Sequence, residues 1–152
     1  MDMRTRLSDA LKDAMRAKEA DRLSTLRLIN AALKDRDIAL RGEGNDAVVT
    51  EADILAILGR MVKQRQESIR LYDEGGRPEL ADKERAEIAV IEEFLPRQLD
   101  GDETEAAIGA AIAEVGAASI RDMGKVMAVL KAKYTGQMDF GAVGPVIKAR
   151  LG

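Results

Sequence analysis

Four glutamates, Glu84, Glu87, Glu92 and Glu93, gather in one short stretch of the chain. Glu84 and Glu87, three apart, share a helical face at the spacing that carboxylate-bridged metal sites use in helix bundles. Those sites also need Glu-x-x-His pairs, and the sequence contains 0 His. A solvated acidic face is therefore the expectation, with no metal and no cofactor. The missing histidine also removes Ser-His-Asp triads, Cys-His pairs and HExxH zinc sites. With 0 Cys there are neither redox thiols nor thiolate ligands. Proton transfer by a carboxylate or lysine would require burial or close pairing to displace its pKa. No residue is assigned a catalytic role.

Phosphate-binding patterns fare little better. Gly42-x-Gly44-x-x-Ala47 is a relaxed dinucleotide fingerprint, but a charged helix precedes it where a strand is required. It is expected to be a loop. Gly124-Lys125-Val126 lacks the upstream glycine and the following hydroxyl of a P-loop.

Cations give a stronger signal. Lys63, Arg65 and Arg70 make one helix basic. Between Ser119 and Gly152, Arg121, Lys125, Lys131, Lys133, Lys148 and Arg150 face only Asp122 and Asp139, a local charge of +4. Asp102 to Ala118 carries four acids and no base, a charge of −4. Such cations could release counterions from nucleic-acid phosphates, although charge on helices is commonly solvated surface. Base-stacking aromatics are scarce: Tyr72, Phe94, Tyr134 and Phe140 are expected in the core.

The elements positioning these groups follow from apolar spacing. Leu7, Leu11, Ala14, Met15 and Lys18 recur at three and four, predicting a helix over Met3 to Lys18. A second should start at Asp21 as its cap and turn Leu23, Leu26, Ile29, Leu33 and Ile38 inward. Gly42 to Asp46 reads as a turn. Thr50 to Asp53 then resembles a capping box before a long helix with Ile54, Leu58, Met61, Val62, Ile69 and Tyr72 on one stripe, stopped by Gly75-Gly76. Pro78 opens a fourth helix, carrying Leu80, Ile88, Ile91, Phe94 and Leu95 to a stop at Pro96. Shorter, alanine- and glycine-rich helices follow. The first is capped by Asp102 with Glu105 and ended by Gly116. The second is capped by Ser119 and ended by Gly136. The last contains Pro145, which either kinks it or marks its start. The expected fold is all-α, with an N-terminal domain of long antiparallel helices (1–96) and a three-helix C-terminal domain (97–152).

With 46% hydrophobic and 34% charged residues, the composition fits a folded chain rather than a disordered one. No apolar run approaches the roughly 20 residues of a spanning helix, and the charged N-terminus lacks the pattern of a secretory leader. The expectation is a cytoplasmic protein with no membrane association.

Several blocks resemble the GatB/YqeY family in order along the chain: Ala14-Met15-Arg16-Ala17-Lys18, Arg22 to Arg27, Lys63 to Ile69, Arg77 to Ala81, Glu92 to Leu99, and Met123-Gly124-Lys125-Val126-Met127. The resemblance implies an all-helical protein of the stand-alone YqeY type. Its C-terminal part is similar to the tail domain of the B subunit of the glutamine-dependent aspartyl/glutamyl-tRNA amidotransferase, a carbon-nitrogen ligase with glutamine as amido donor. In that enzyme the tail contacts tRNA and catalysis lies elsewhere. Carried over, the matching motif is Gly124, Val126, Met127 and Gly136, with Lys125, Lys131, Lys133, Lys148 and Arg150 as nucleic-acid contacts; Gly144-Pro145 departs from the usual pattern. The implied partners are tRNA and amidotransferase subunits or other translation proteins. A helical protein-protein adaptor with no RNA role stays open, as does an enzyme assisting amide transfer.

Overall fold

The computed structural model describes residues 2–43 and 48–152. Gly44 to Ala47, and with them most of the glycine-spaced loop noted above, lie outside the described residues; Gly42 itself ends a helix. Seven α-helices make up the fold among the described residues: α1 (Met3–Arg16), α2 (Ala20–Gly42), α3 (Glu51–Glu74), α4 (Pro78–Glu92), α5 (Gly101–Val115), α6 (Met123–Tyr134) and α7 (Phe140–Leu151), with a 3-10 turn, Ile120–Asp122, leading into α6. The fold is all-α, as apolar periodicity predicts. Internal contacts divide it into two compact units, Met1–Leu95 and Pro96–Gly152.

In the first unit, α1 and α2 form one antiparallel pair and α3 and α4 another. Leu7, Leu26, Ile29, Ile54, Leu58 and Ile91 are fully buried where the pairs meet. Fully burying one such aliphatic side chain contributes about 1.5–3 kcal/mol. Beyond Met61 no residue of α3 is fully buried. The far half of the α3/α4 hairpin instead closes on Ala81 and on polar contacts between the two helices. A methyl side chain at Ala81 lets two backbones approach there, so a larger residue would push them apart.

Helix ends explain most differences from expectation. Thr50 and Asp53 form the capping box that their spacing predicts. At the other end of α3, Gly76 adopts φ +71°. There the Arg77 and Gly76 amides donate to the Tyr72 and Asp73 carbonyls at 2.8 and 3.3 Å, the paired bonds of a Schellman stop. The same stop ends α1, but with Lys18 at φ 56° in place of glycine; Lys18 and Glu19 donate to Met15 and Ala14. That turn places the start of α2 at Ala20, with Glu19 as a cap position lacking a side-chain bond. Asp21 is therefore not the cap. Nor does α4 reach Pro96: after Glu92 the chain tightens into i→i+3 bonds from Glu93, Phe94 and Leu95, because Pro96 disfavours helical geometry at Leu95. Ile38 and Met15, expected inside, are 56% and 53% exposed; Leu40 is buried instead.

The second unit packs α5, α6 and α7 around Ala107, Ile108, Ala111, Val126, Leu130, Val143 and Ile147. Its first cap is Asp100 with Glu103, two residues before the expected Asp102 and Glu105. Arg97 decides between them by gripping Glu103 with two bonds of 2.7 and 2.6 Å. Ser119 caps the 3-10 turn rather than α6 directly. Pro145 lies inside α7, which starts at Phe140 behind its Asp139 cap, so the proline neither begins nor ends the helix. Gly144, just before it, is buried, and a Cβ there would meet Met123 Cε at 3.5 Å.

Candidate nucleic-acid interface

Pro96–Gly152 holds seven basic and seven acidic side chains, so the unit has no net charge and any anion-binding face must come from how those groups are distributed. Two of the six candidate cations are neutralised by α5. Lys133 Nζ donates to Glu114 Oε2 at 2.8 Å, which raises the lysine pKa through that hydrogen bond and the charge behind it. Arg150 pairs with Glu105 and lies across Gly109, where a Cβ would stand 3.6 Å from its Nη1. Glu105 and Glu114 are nine residues apart, about 180° around a helix at roughly 100° per residue. Lys133 and Arg150 are thus held on opposite sides of α5. Within α7, Lys148 and Arg150 differ by about 200° by the same arithmetic. The six cations therefore do not gather on a single face.

Arg121, Lys125, Lys131 and Lys148 remain, all exposed. Among the described residues none of the four has an ion-pair partner within 4.0 Å. The carboxylate nearest in sequence to Arg121 and Lys125, Asp122, is occupied. Its Oδ2 accepts from the Ala118 and Ser119 amides at 2.9 and 3.3 Å, and those bonds, with a smaller contribution from Lys125, hold its pKa below the usual range.

On α6 the two free lysines flank a bare surface. Lys125 and Lys131 are about 120° apart in projection, and Gly124, Ala128 and Ala132 fill the arc between them. All three are exposed, and the space over Gly124 is open to at least 4 Å. A large ligand could approach the backbone here with an ammonium group on either side. Ala128 and Ala132 do not figure in the sequence reading, although their spacing of four from Gly124 is visible there.

The remaining motif residues support the scaffold. Val126 is fully buried and Met127 half-buried in the core of the unit. Gly136 adopts φ 83° after α6, and this turn is fastened to the incoming chain. The Leu99 amide donates to the Gln137 carbonyl at 2.9 Å, the Gln137 side chain to the Arg97 carbonyl at 3.0 Å, and Gln98 to the Gly136 carbonyl. The positive φ is the physical reason for glycine at position 136.

Three of the four glutamates of the acidic cluster lie against arginine. Arg65 Nε lies 2.9 Å from Glu87 and 3.8 Å from Glu84, while its Nη1 donates to the Met61 carbonyl at 3.1 Å. Burial and the charge of Glu87 raise the Glu84 pKa. Glu93 pairs with Arg22. No three such residues converge as metal ligands among the described residues.

Several curated proteins are similar to part of this chain. One relative is the uncharacterized protein C22F3.15 of Schizosaccharomyces pombe, 29% identical over 57% of this chain and 66% of its own length. Another is "Altered inheritance of mitochondria protein 41, mitochondrial" of Saccharomyces cerevisiae (strain YJM789), 29% identical over 59% of this chain and 46% of its own. The namesake from Vanderwaltozyma polyspora is 30% identical over the same shares, 59% and 46%. The chain thus spans between about half and two thirds of the curated relatives it matches. Residues 4–151 match the family described as Yqey-like protein, and because that match takes in nearly every element described above, the chain belongs to the YqeY-like family.

Proposed function

We propose that this YqeY-like chain is a non-catalytic module that holds the phosphate backbone of tRNA against the exposed face of α6, in the setting of glutamine-dependent tRNA amidation. The observation that carries the reading is the pairing of Lys125 and Lys131 across the bare Gly124, Ala128 and Ala132 surface, neither lysine being held in an ion pair within 4.0 Å among the described residues. Small residues permit close approach, and ammonium groups replace the counterions of phosphate. The resemblance of the C-terminal unit to an amidotransferase tail supports tRNA as the nucleic acid. The scarcity of exposed aromatics agrees with recognition by backbone and shape rather than by base stacking.

The test is the salt dependence of tRNA binding by the full chain. The two lysines that flank the face, each worth a log-log slope of about 0.7–0.9, give an expected slope near −1.6. Lys125→Glu with Lys131→Glu should abolish binding without altering the circular dichroism spectrum. Absence of binding at low salt removes the reading.

A further inference from the structure

We infer that the groove between α1 and α2 is a binding site for a phosphorylated sugar or polyol. The groove encloses about 570 Å³ and is lined by Arg4 and Ser8 of α1 and by Asn30, Lys34, Asp37 and Arg41 of α2. At roughly 100° per residue, these four α2 side chains fall within an arc of about 60° and so make one wall. Leu33 is buried on the core side of that wall, and Ile38 lies about 40° beyond Lys34 on its solvent side. In volume the groove is in the range of small-molecule sites, about 300–1,000 Å³, but such sites are mostly apolar. Here ions, an amide and a hydroxyl line the wall, which calls for a ligand that is itself charged and hydrogen-bonding.

The cations set the sign of that ligand. Arg4, Lys34 and Arg41 share the groove with a single carboxylate, Asp37, which Arg4 Nη2 holds at 2.7 Å. That contact fixes the guanidinium while leaving it other N–H groups to donate. Lys34 and Arg41 are exposed, with no ion-pair partner within 4.0 Å among the described residues. Arg41 stands in the last turn of α2, where a cation is favoured by the helix dipole alone; Lys34, two turns earlier, has no such explanation. The two are about 10.5 Å apart along the axis, and Asp37, with the Arg4 it holds, stands between them. An anion seated there meets an ammonium and guanidinium groups from both walls, the donors that phosphate oxygens take. The other end of the groove is neutral. Asn30 lies one turn before Lys34, and Ser8 one turn after Arg4. Asn30 is half-buried and Ser8 exposed, and neither side chain makes a hydrogen bond among the described residues. An amide and a hydroxyl with bonds to spare, one turn from the cations, suit the hydroxyl groups of a sugar or polyol. No aromatic ring lines the groove, so a nucleobase would have nothing to stack on.

The groove shares no residue with the α6 face, so this inference and the RNA reading can fail independently. The probes are mannitol phosphorylated at one end, inorganic phosphate and plain mannitol, each titrated calorimetrically into the full chain. Mannitol phosphate should bind at least ten-fold more tightly than mannitol and at least three-fold more tightly than inorganic phosphate. Lys34→Ala with Arg41→Ala should weaken both phosphates at least ten-fold. Asn30→Ala should weaken mannitol phosphate at least three-fold and leave inorganic phosphate unchanged, a split that a general disturbance of α2 would not produce. An unchanged thermal melt verifies the folding of each variant. Lys125→Glu with Lys131→Glu should leave both phosphates bound as in wild type while abolishing RNA binding. The inference is overturned if mannitol phosphate binds no better than mannitol or inorganic phosphate, if the groove substitutions leave its affinity unchanged, or if they weaken polyuridylate or polyglutamate in its place.

Discussion

Glu114→Gln and Glu105→Gln each remove one negative charge from α5, yet the geometry assigns them different consequences for RNA binding. Glu114 holds Lys133, which projects about 80° from Lys125 around α6. Releasing it adds a third cation beside the proposed face. Glu105 holds Arg150, on the opposite side of α5, so releasing that guanidinium adds nothing there. One further phosphate contact steepens the log-log salt slope by about 0.7–0.9, and at about 0.1 M salt it raises affinity about six-fold. The assay is tRNA binding across a salt series for wild type and both variants. Glu114→Gln should move the slope from about −1.6 toward −2.4, while Glu105→Gln stays close to wild type. Both pairs are solvent-exposed, so the thermal midpoints should stay together. Equal gains from the two variants would mean that only net charge matters and that no α6 face exists; no gain from Glu114→Gln would refute the placement of Lys133 beside it.

The Arg65 cluster should respond unequally to its two acids. Glu87→Gln weakens the 2.9 Å contact to a largely buried guanidinium and should cost about 1–2 kcal/mol by urea denaturation. Glu84 is raised in pKa by burial, so its ionised form opposes folding as pH rises through that value; Glu84→Gln should be neutral or stabilising at pH 7. In the second unit, the Arg97 hydrogen bonds and the Asp100 amide lower the Glu103 pKa from 4.5 to about 2. Stability from this group is complete above 4.5 and fades as pH falls toward 2, a trend that Glu103→Gln should flatten in acid titrations. Gly116→Ala, at φ +64° with open space around the new methyl, should cost about 1 kcal/mol from backbone strain alone. Lys18→Gly relieves the same strain and should leave the melting temperature unchanged or higher, since greater freedom of the unfolded chain offsets part of the gain.

Helix content and most helix ends were legible in the sequence because they depend on local chemistry: Thr50 with Asp53, Gly75-Gly76 and Pro78 each act within one turn. The errors arise where two local solutions are equivalent. Asp100 to Glu103 and Asp102 to Glu105 have the same cap spacing, and only the grip of Arg97 on Glu103 selects the first. Lys18 hides the end of α1 because no glycine marks it. Cation placement was less legible still. Lys148 and Arg150 are near neighbours in sequence, but α7 sends them to different sides, and whether Lys133 is free depends on Glu114, 19 residues away. The exposure of Ile38, by contrast, is local: five residues from Leu33, it sits about 140° away around α2, whereas Leu40, seven from Leu33, returns to the buried face.

The terminal methyl of Met123 lies in van der Waals reach, 3.5 Å, of where a Cβ at Gly144 would stand, so the end of this side chain, with its thioether, packs between α6 and α7. Peroxide would turn that sulfur into a sulfoxide, which is bulkier and polar, in a contact sized for carbon. The junction between α6 and α7 is therefore the place where oxidative damage should first loosen the C-terminal unit, and a methionine sulfoxide reductase should restore it.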